Sequence, residues 1–130
     1  MLFWVDNQYS IKTSKAVAET FSKINTSKID LIYDIETQAS VIEGPSAGAS
    51  MTVATVALLE NKSLNPQVSI TGTINSDGSI GQVGSVLQKA IASKDAGANI
   101  FLVPVGQGTQ TNYTPKNVCQ KVGKITYCTT

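Results

Sequence analysis

The sequence predicts an α/β (α+β) domain in which small mixed sheets pack with three to four helices. Three observations lead there. Stretches of helical periodicity alternate with short apolar or alternating strands. Gly, Pro, Asn and Asp punctuate the boundaries between them. One helix is apolar on nearly every side and so belongs in the middle of a domain. A chain of 130 residues is one ordinary domain, able to bury a core. We expect residues 1–130 to be a single domain excised from a longer protein, because Met1-Leu2-Phe3-Trp4-Val5 enters abruptly as a strand.

The elements follow in order. From about Ser10 to Asn25, Ile11, Ala18, Phe21 and Ile24 fall near helical spacing, with Lys12, Lys15, Glu19 and Lys23 between them. That pattern predicts an amphipathic surface helix. Residues 29–35 alternate Ile29, Leu31, Tyr33 and Ile35 against Asp30, Ile32 and Asp34, as a half-buried strand does. Residues 36–45 form a loop that ends in the turn Gly44-Pro45-Ser46-Ala47-Gly48. The apolar helix runs from about Ala47 to Leu59, interrupted only by Ser50, Thr52 and Thr55. Residues 61–66 make a turn, 68–74 a strand, and Asp77-Gly78 a tight turn before Ile80. Ser85 is placed to N-cap a helix to about Ala96, with Gly97 as its stop. Residues 100–103 read as a short buried strand ended by Pro104, and residues 106–112 as a polar loop. Thr114-Pro115 is a start for a short helix through Gln120, and residues 124–127 a closing strand.

Bulk properties narrow the function. A net charge of +1, with 15% charged residues and no run of like charge, gives no general attraction to nucleic acid or anionic membrane. No apolar stretch is long enough to span a bilayer, and none reads as a secretory leader. Cys119 and Cys128 stand alone near the C-terminus with no histidine in the chain, which argues against a four-ligand zinc site. They are either a local disulfide, implying an oxidising compartment, or two unrelated thiols.

The turn at Ser46 carries the chemistry. A serine at a helix N-terminus sits among N–H groups that lack intrahelical partners. Those groups and the helix dipole favour an oxyanion formed beside them. The backbone of Ser46 and Ala47 is the candidate oxyanion site. A serine hydroxyl needs a base to act as a nucleophile. Without histidine, a lysine is the leading candidate. Lys89 has small uncharged neighbours one turn away, Ser85, Ala92 and Ser93, and no carboxylate at those positions to hold an ammonium. Taken singly, Ser46 also reads as an N-cap in a Gly-Pro turn, and Lys89 as an exposed lysine on an amphipathic helix.

A longer pattern joins them. Glu43-Gly44-Pro45-Ser46-Ala47-Gly48-Ala49-Ser50-Met51-Thr52 resembles the nucleophile segment of the Lon protease proteolytic domain. The likeness continues through Val68-Ser69-Ile70-Thr71-Gly72-Thr73-Ile74, Asp77-Gly78-Ser79-Ile80-Gly81-Gln82-Val83-Gly84, Lys89, and Ala96-Gly97-Ala98 to Pro104. It is nearest to the stand-alone archaeal Lon-like serine proteases. The resemblance implies the Lon proteolytic fold and a serine peptidase, with Ser46 as nucleophile and Lys89 as general base. It implies that Thr71 holds the lysine amine, and it assigns Glu43 no chemistry. It implies no metal or organic cofactor, a polypeptide substrate, and homo-oligomers or membrane anchors supplied by other segments. An extracytoplasmic or membrane-associated setting fits the cysteine pair. The sequence departs from the family at Thr73, where a glutamate is usual, and at Gly84-Ser85, where Gly-Gly is common. It also contains no Gly-x-x-x-x-Gly-Lys-Ser/Thr phosphate loop, so this chain carries no ATPase module of its own. The rival expectation is a catalytically silent peptide-binding or assembly domain on the same fold.

Overall fold

In a computed structural model, which describes residues 2–3, 5–37, 41–42, 44–111 and 113–129, the two longest helices meet through small side chains. These helices are α1 (Val5–Ser22) and α2 (Gly48–Leu59), and they pack extensively on each other. The buried positions of α1 are Asn7, Ser10, Thr13, Ser14 and Ala18. On α2 they are Gly48, Ala49, Met51, Thr52, Thr55 and Ala57. This corrects the expected apolar stripe of α1, in which Phe21 is in fact 70% exposed. Close approach of two backbones requires short side chains, and three of the hydroxyls brought inside, those of Ser14, Thr52 and Thr55, are hydrogen-bonded. Ser14 Oγ donates to the Gly48 carbonyl across the interface at 3.1 Å, and Thr52 Oγ1 donates to the same carbonyl at 2.8 Å. Thr55 Oγ1 donates to the Met51 carbonyl and also meets the Tyr33 hydroxyl at 2.6 Å. Consequently α2 buries its threonines and leaves Val53 and Leu58 exposed, the reverse of what composition suggested.

α1 also starts earlier than its periodicity indicated, with Asp6 in its first turn, where a carboxylate suits the helix dipole. Val5 is its first residue, so the predicted N-terminal strand shortens to β1 (Leu2–Phe3). Met1 and Trp4 lie outside the described residues. β1 pairs in parallel with β2 (Val41–Ile42), inside the segment expected to be loop. Residues 29–35 belong to no helix or strand; Leu31, Tyr33 and Ile35 are half-buried, while Ile29, Asp30, Ile32 and Asp34 are exposed. The predicted alternation is present over residues 31–35, but no ladder partner makes the segment a strand among the described residues.

The predicted strand 68–74 is broken at Thr71-Gly72 into β3 (Val68–Ile70) and β4 (Thr73–Ile74). β4 pairs antiparallel with β5 (Ile80–Gly81) through the turn containing Asp77-Gly78. The Asp77 carboxylate accepts from the Ser79 hydroxyl at 2.6 Å and the Ser79 N–H at 2.9 Å. The side-chain bond is the main cause holding Asp77 below the usual carboxylate range. Thr26 does the same for Glu19 beside the end of α1. β3 pairs in parallel with β6 (Ile100–Leu102), and α3 (Val86–Asp95) lies in the crossover. β6 is not the buried strand expected, since Ile100 and Leu102 are exposed and only Phe101 faces partly inward. Gly97, at φ 92, ends the α3 region as predicted.

The C-terminal segment departs most. No helix forms at Thr114. Instead β7 (Val118–Val122) and β8 (Ile125–Thr129) make an antiparallel hairpin. Gly123 at φ 64 opens its two-residue turn, the position a type II′ turn reserves for glycine. Cys119 faces Cys128 across this ladder, and a disulfide joins them with Cα atoms 4.0 Å apart. Asn112 lies outside the described residues. No described helix is long and apolar enough to cross a membrane.

Candidate active site

The turn at Ser46 is built by a backbone exchange with Gly72. The Gly72 N–H donates to the Ser46 carbonyl at 3.0 Å, and the Ala49 N–H donates to the Gly72 carbonyl at 2.9 Å. This pair of bonds ties the start of α2 to the break between β3 and β4. Glycine is needed at both ends of the contact. A Cβ on Gly48 would fall 2.7 Å from Ile74 Cγ2 and 2.9 Å from its backbone nitrogen. A Cβ on Gly72 would fall 2.5 Å from Ile80 Cγ2 and 3.2 Å from Ala49 Cβ.

Within this frame Ser46 is not the helix cap. α2 begins at Gly48, its N-cap position is Ala47, and no side chain caps it. The Ser46 side chain is half-buried, and its hydroxyl is left without a hydrogen bond among the described residues. The N–H groups of Ser46 and Ala47 donate to no carbonyl among the described residues. Ser50, one turn on, is occupied, its hydroxyl donating to the Ala47 carbonyl at 2.8 Å.

Lys89 reaches the same place from α3. Ser46, Ala47, Thr71 and Lys89 line one open cleft of about 410 Å³, with Ser50, Ser69, Ile70, Ala92, Ser93 and Phe101 completing its walls. No carboxylate is among those residues, and the one ion pair among the described residues, Lys62 to Glu60, lies elsewhere. Lys89 is half-buried, and its amine makes no hydrogen bond or ion pair among the described residues. Ser85, expected to cap α3 through its hydroxyl, makes no such bond and instead adopts a left-handed backbone at φ 55.

Thr71 is buried, but its hydroxyl is directed to the Ser46 carbonyl at 3.4 Å rather than to the lysine amine. Its N–H is fixed by the Leu102 carbonyl at 3.0 Å. Glu43 lies outside the described residues. Cys119 and Cys128 are on the C-terminal hairpin and do not line the cleft.

Two features of the site were not read from the sequence. Ser69 Oγ and Ser93 Oγ hydrogen-bond to each other, joining β3 to α3 one turn beyond Lys89. No sequence signal pairs two such serines. The Gln107 amide is bonded to the backbone of Val83, just before α3. A glutamine in an otherwise polar loop gives no hint of that.

Comparison with known proteins agrees with this architecture. A family model described as the Lon protease (S16) C-terminal proteolytic domain matches residues 5–130. The chain is 34% identical over 58% of its length to the mitochondrial Lon protease homolog of Saccharomyces cerevisiae, covering 7% of that protein. It is 36% identical over 59% of its length to the Lon protease of Koribacter versatilis, covering 10% of it. It is 32% identical over 85% of its length to the Lon protease of Mycoplasma genitalium, covering 14% of it. These relatives are mitochondrial and bacterial, and the chain spans about a tenth of their length. With a family match running through α1, the Ser46 turn, the Lys89 helix and the C-terminal hairpin, the chain belongs to the Lon protease (S16) C-terminal proteolytic domain family.

Proposed function

We propose that this chain is a Lon-like serine endopeptidase that hydrolyses polypeptides through a Ser46–Lys89 dyad. The supporting observation is the convergence, in one cleft lined by no carboxylate, of a serine hydroxyl on the turn before α2 and a lysine amine on α3, neither of them hydrogen-bonded among the described residues. Lys89 takes the Ser46 proton as Oγ attacks the peptide carbonyl, giving a tetrahedral oxyanion. The N–H groups of Ser46 and Ala47 are the donors for that oxyanion. Collapse expels the amine, which receives the proton, and leaves an acyl-enzyme. Lys89 then takes a proton from water, whose attack frees the acid and restores Ser46. Thr71 acts on the nucleophile's side of the dyad by holding the Ser46 carbonyl. Catalytic hydrogen bonds are often long in unliganded sites and tighten around substrate, so the lack of a direct Ser46–Lys89 bond fits a free enzyme.

Other parts of the reading rest on less. The Thr71-Gly72-Thr73-Ile74-Asn75 and Asp77–Gly81 patterns support a stand-alone, archaeal-type protease acting without ATP. The disulfide supports an extracytoplasmic or membrane-associated setting. Residues 1–130 act as one proteolytic domain of a longer protein, and the family resemblance supports homo-oligomers.

The test is turnover of an unfolded protein or peptide, without ATP, by the parent chain, Ser46→Ala and Lys89→Met. Each variant is expected to lose at least ~10²-fold in kcat. Equal rates in all three refute the dyad. A serine-reactive covalent probe separates the silent peptide-binding alternative: labelling confined to Ser46 supports the enzyme, and tight peptide binding without labelling supports the rival.

A further inference from the structure

α3 carries Lys89 and has no fully buried residue; Val86, Leu87, Lys89, Ala90 and Ser93 are half-buried, and the Ser69–Ser93 hydrogen bond ties its later turn to β3. It also starts from Ser85 in a left-handed conformation that non-glycine residues rarely adopt. A helix with that start and no fully buried residue needs another restraint if its lysine is to meet a serine on a different element.

Gln107 supplies one. The Val83 N–H donates to Gln107 Oε1 at 2.9 Å, and Gln107 Nε2 donates to the Val83 carbonyl at 2.8 Å. A side-chain amide thus forms a complete rung of backbone-like pairing with the residue two before Ser85. Gln107 is itself anchored, its N–H donating at 3.0 Å to the carbonyl of Pro104, which is buried just after β6. From the clamp the path to the lysine is short. The Lys89 N–H donates to the Ser85 carbonyl at 3.0 Å as α3 begins. β6, through Pro104 and Gln107, therefore sets the point from which α3 departs.

We propose that Gln107 is a positioning residue for Lys89, its amide clamping Val83 so that α3 presents the lysine amine to Ser46. This rests on the Ser46–Lys89 reading of the site. Gln107 is absent from the lining of the catalytic cleft. Its loss is therefore expected to act chiefly on the chemical step, with KM as the check on peptide binding because Gln107 lines a neighbouring cleft with Val83, Ser85 and Val86. A misplacement of about 1 Å costs up to about 10²-fold in rate.

The experiment measures peptidase kinetics for the parent chain, Ser46→Ala, Gln107→Met and Gln107→Glu, with kcat expressed per site titrated to completion by a serine-reactive covalent probe. Gln107→Met keeps the length of the side chain and removes both bonds. It is expected to lower kcat per site by ~10-fold or more, with KM within about twofold. Gln107→Glu keeps an oxygen for the Val83 N–H and is expected to fall between the two. Parent-like kcat per site in Gln107→Met overturns the clamp. If Gln107→Met does not fold, Gln107→Glu decides: reduced kcat with KM retained supports the proposal, and parent-like kcat overturns it. Undiminished activity in Ser46→Ala is a different result, because it removes the dyad itself whatever Gln107 does.

Discussion

Ser85 shows how a single residue can stand against its own backbone preference. It follows Gly84 at the start of α3, and it, rather than the glycine, stands at φ 55, ψ 39. A Cβ in that region crowds the following carbonyl and costs about 1–2 kcal/mol, a cost glycine avoids. Glycine loses part of that gain to its greater freedom in the unfolded chain. Ser85→Gly is therefore expected to stabilise the protein by about 1 kcal/mol and to raise Tm by about 3–6 °C. Thermal unfolding followed by circular dichroism checks it, and an unchanged or lower Tm would show that the hydroxyl supports the turn in some other way. The same scale explains why Ser46 and Lys89 could be singled out from the sequence while the contacts around them could not. A Gly-Pro-Ser turn before an apolar helix is a local signal, and a chain without histidine leaves lysine as the leading candidate for a base. The Thr71 hydroxyl, by contrast, was expected on the amine and lies against the Ser46 carbonyl. Its direction depends on how β3 and the Ser46 turn meet, which residue type alone does not encode.

At the level of elements, periodicity located the helices and misjudged their faces. Ile11, Ala18, Phe21 and Ile24 mark α1 in the sequence, but its buried side is Asn7, Ser10, Thr13, Ser14 and Ala18. Helical periodicity is a pattern of hydrophobicity, whereas this interface selects for small size. The break of strand 68–74 was equally hidden. Gly72 interrupts it because its backbone bonds are diverted to Ser46 and Ala49, a long-range demand. The β4–β5 turn was legible because Asp77-Gly78 is a local signal, and its electrostatics are testable. The Asp77 carboxyl is held below its ordinary range, chiefly by the Ser79 hydroxyl. A depressed folded-state value means that the carboxylate adds stability above the unfolded value of about 3.9. That contribution disappears as pH falls through the lower folded value. The parent chain should therefore exceed Asp77→Ala in Tm by a constant margin between pH 5 and 8. The margin should narrow below about pH 4. Melting both proteins across that range tests it, and a margin independent of pH down to about 2.5 would remove the charge from the explanation.

The whole molecule divides into a packed body and an appended hairpin. α1, α2, β4 and the β3–β6 pair contact one another, while β7 and β8 contact chiefly each other and every residue of both strands is exposed. The sequence hid this division, since Thr114-Pro115 mimics a helix start and the Gly123 turn signal is weak without an asparagine or aspartate beside it. An isolated two-stranded hairpin is at best marginally stable in water. Its cross-link at the Cys119–Cys128 pair, closing a short loop, contributes about 3 kcal/mol in a chain-entropy treatment. Because the hairpin shares little surface with the body, that stabilisation is local. Replacing both cysteines by serine should speed amide exchange through residues 118–129 while leaving global Tm within about 2 °C. Peptidase turnover should also hold within about twofold, since neither cysteine lines the cleft. Hydrogen exchange by mass spectrometry, run beside thermal melts and activity, reads all three quantities. A fall of several degrees in Tm would mean that the hairpin is coupled to the body and that the cross-link supports the catalytic frame as well as its own two strands.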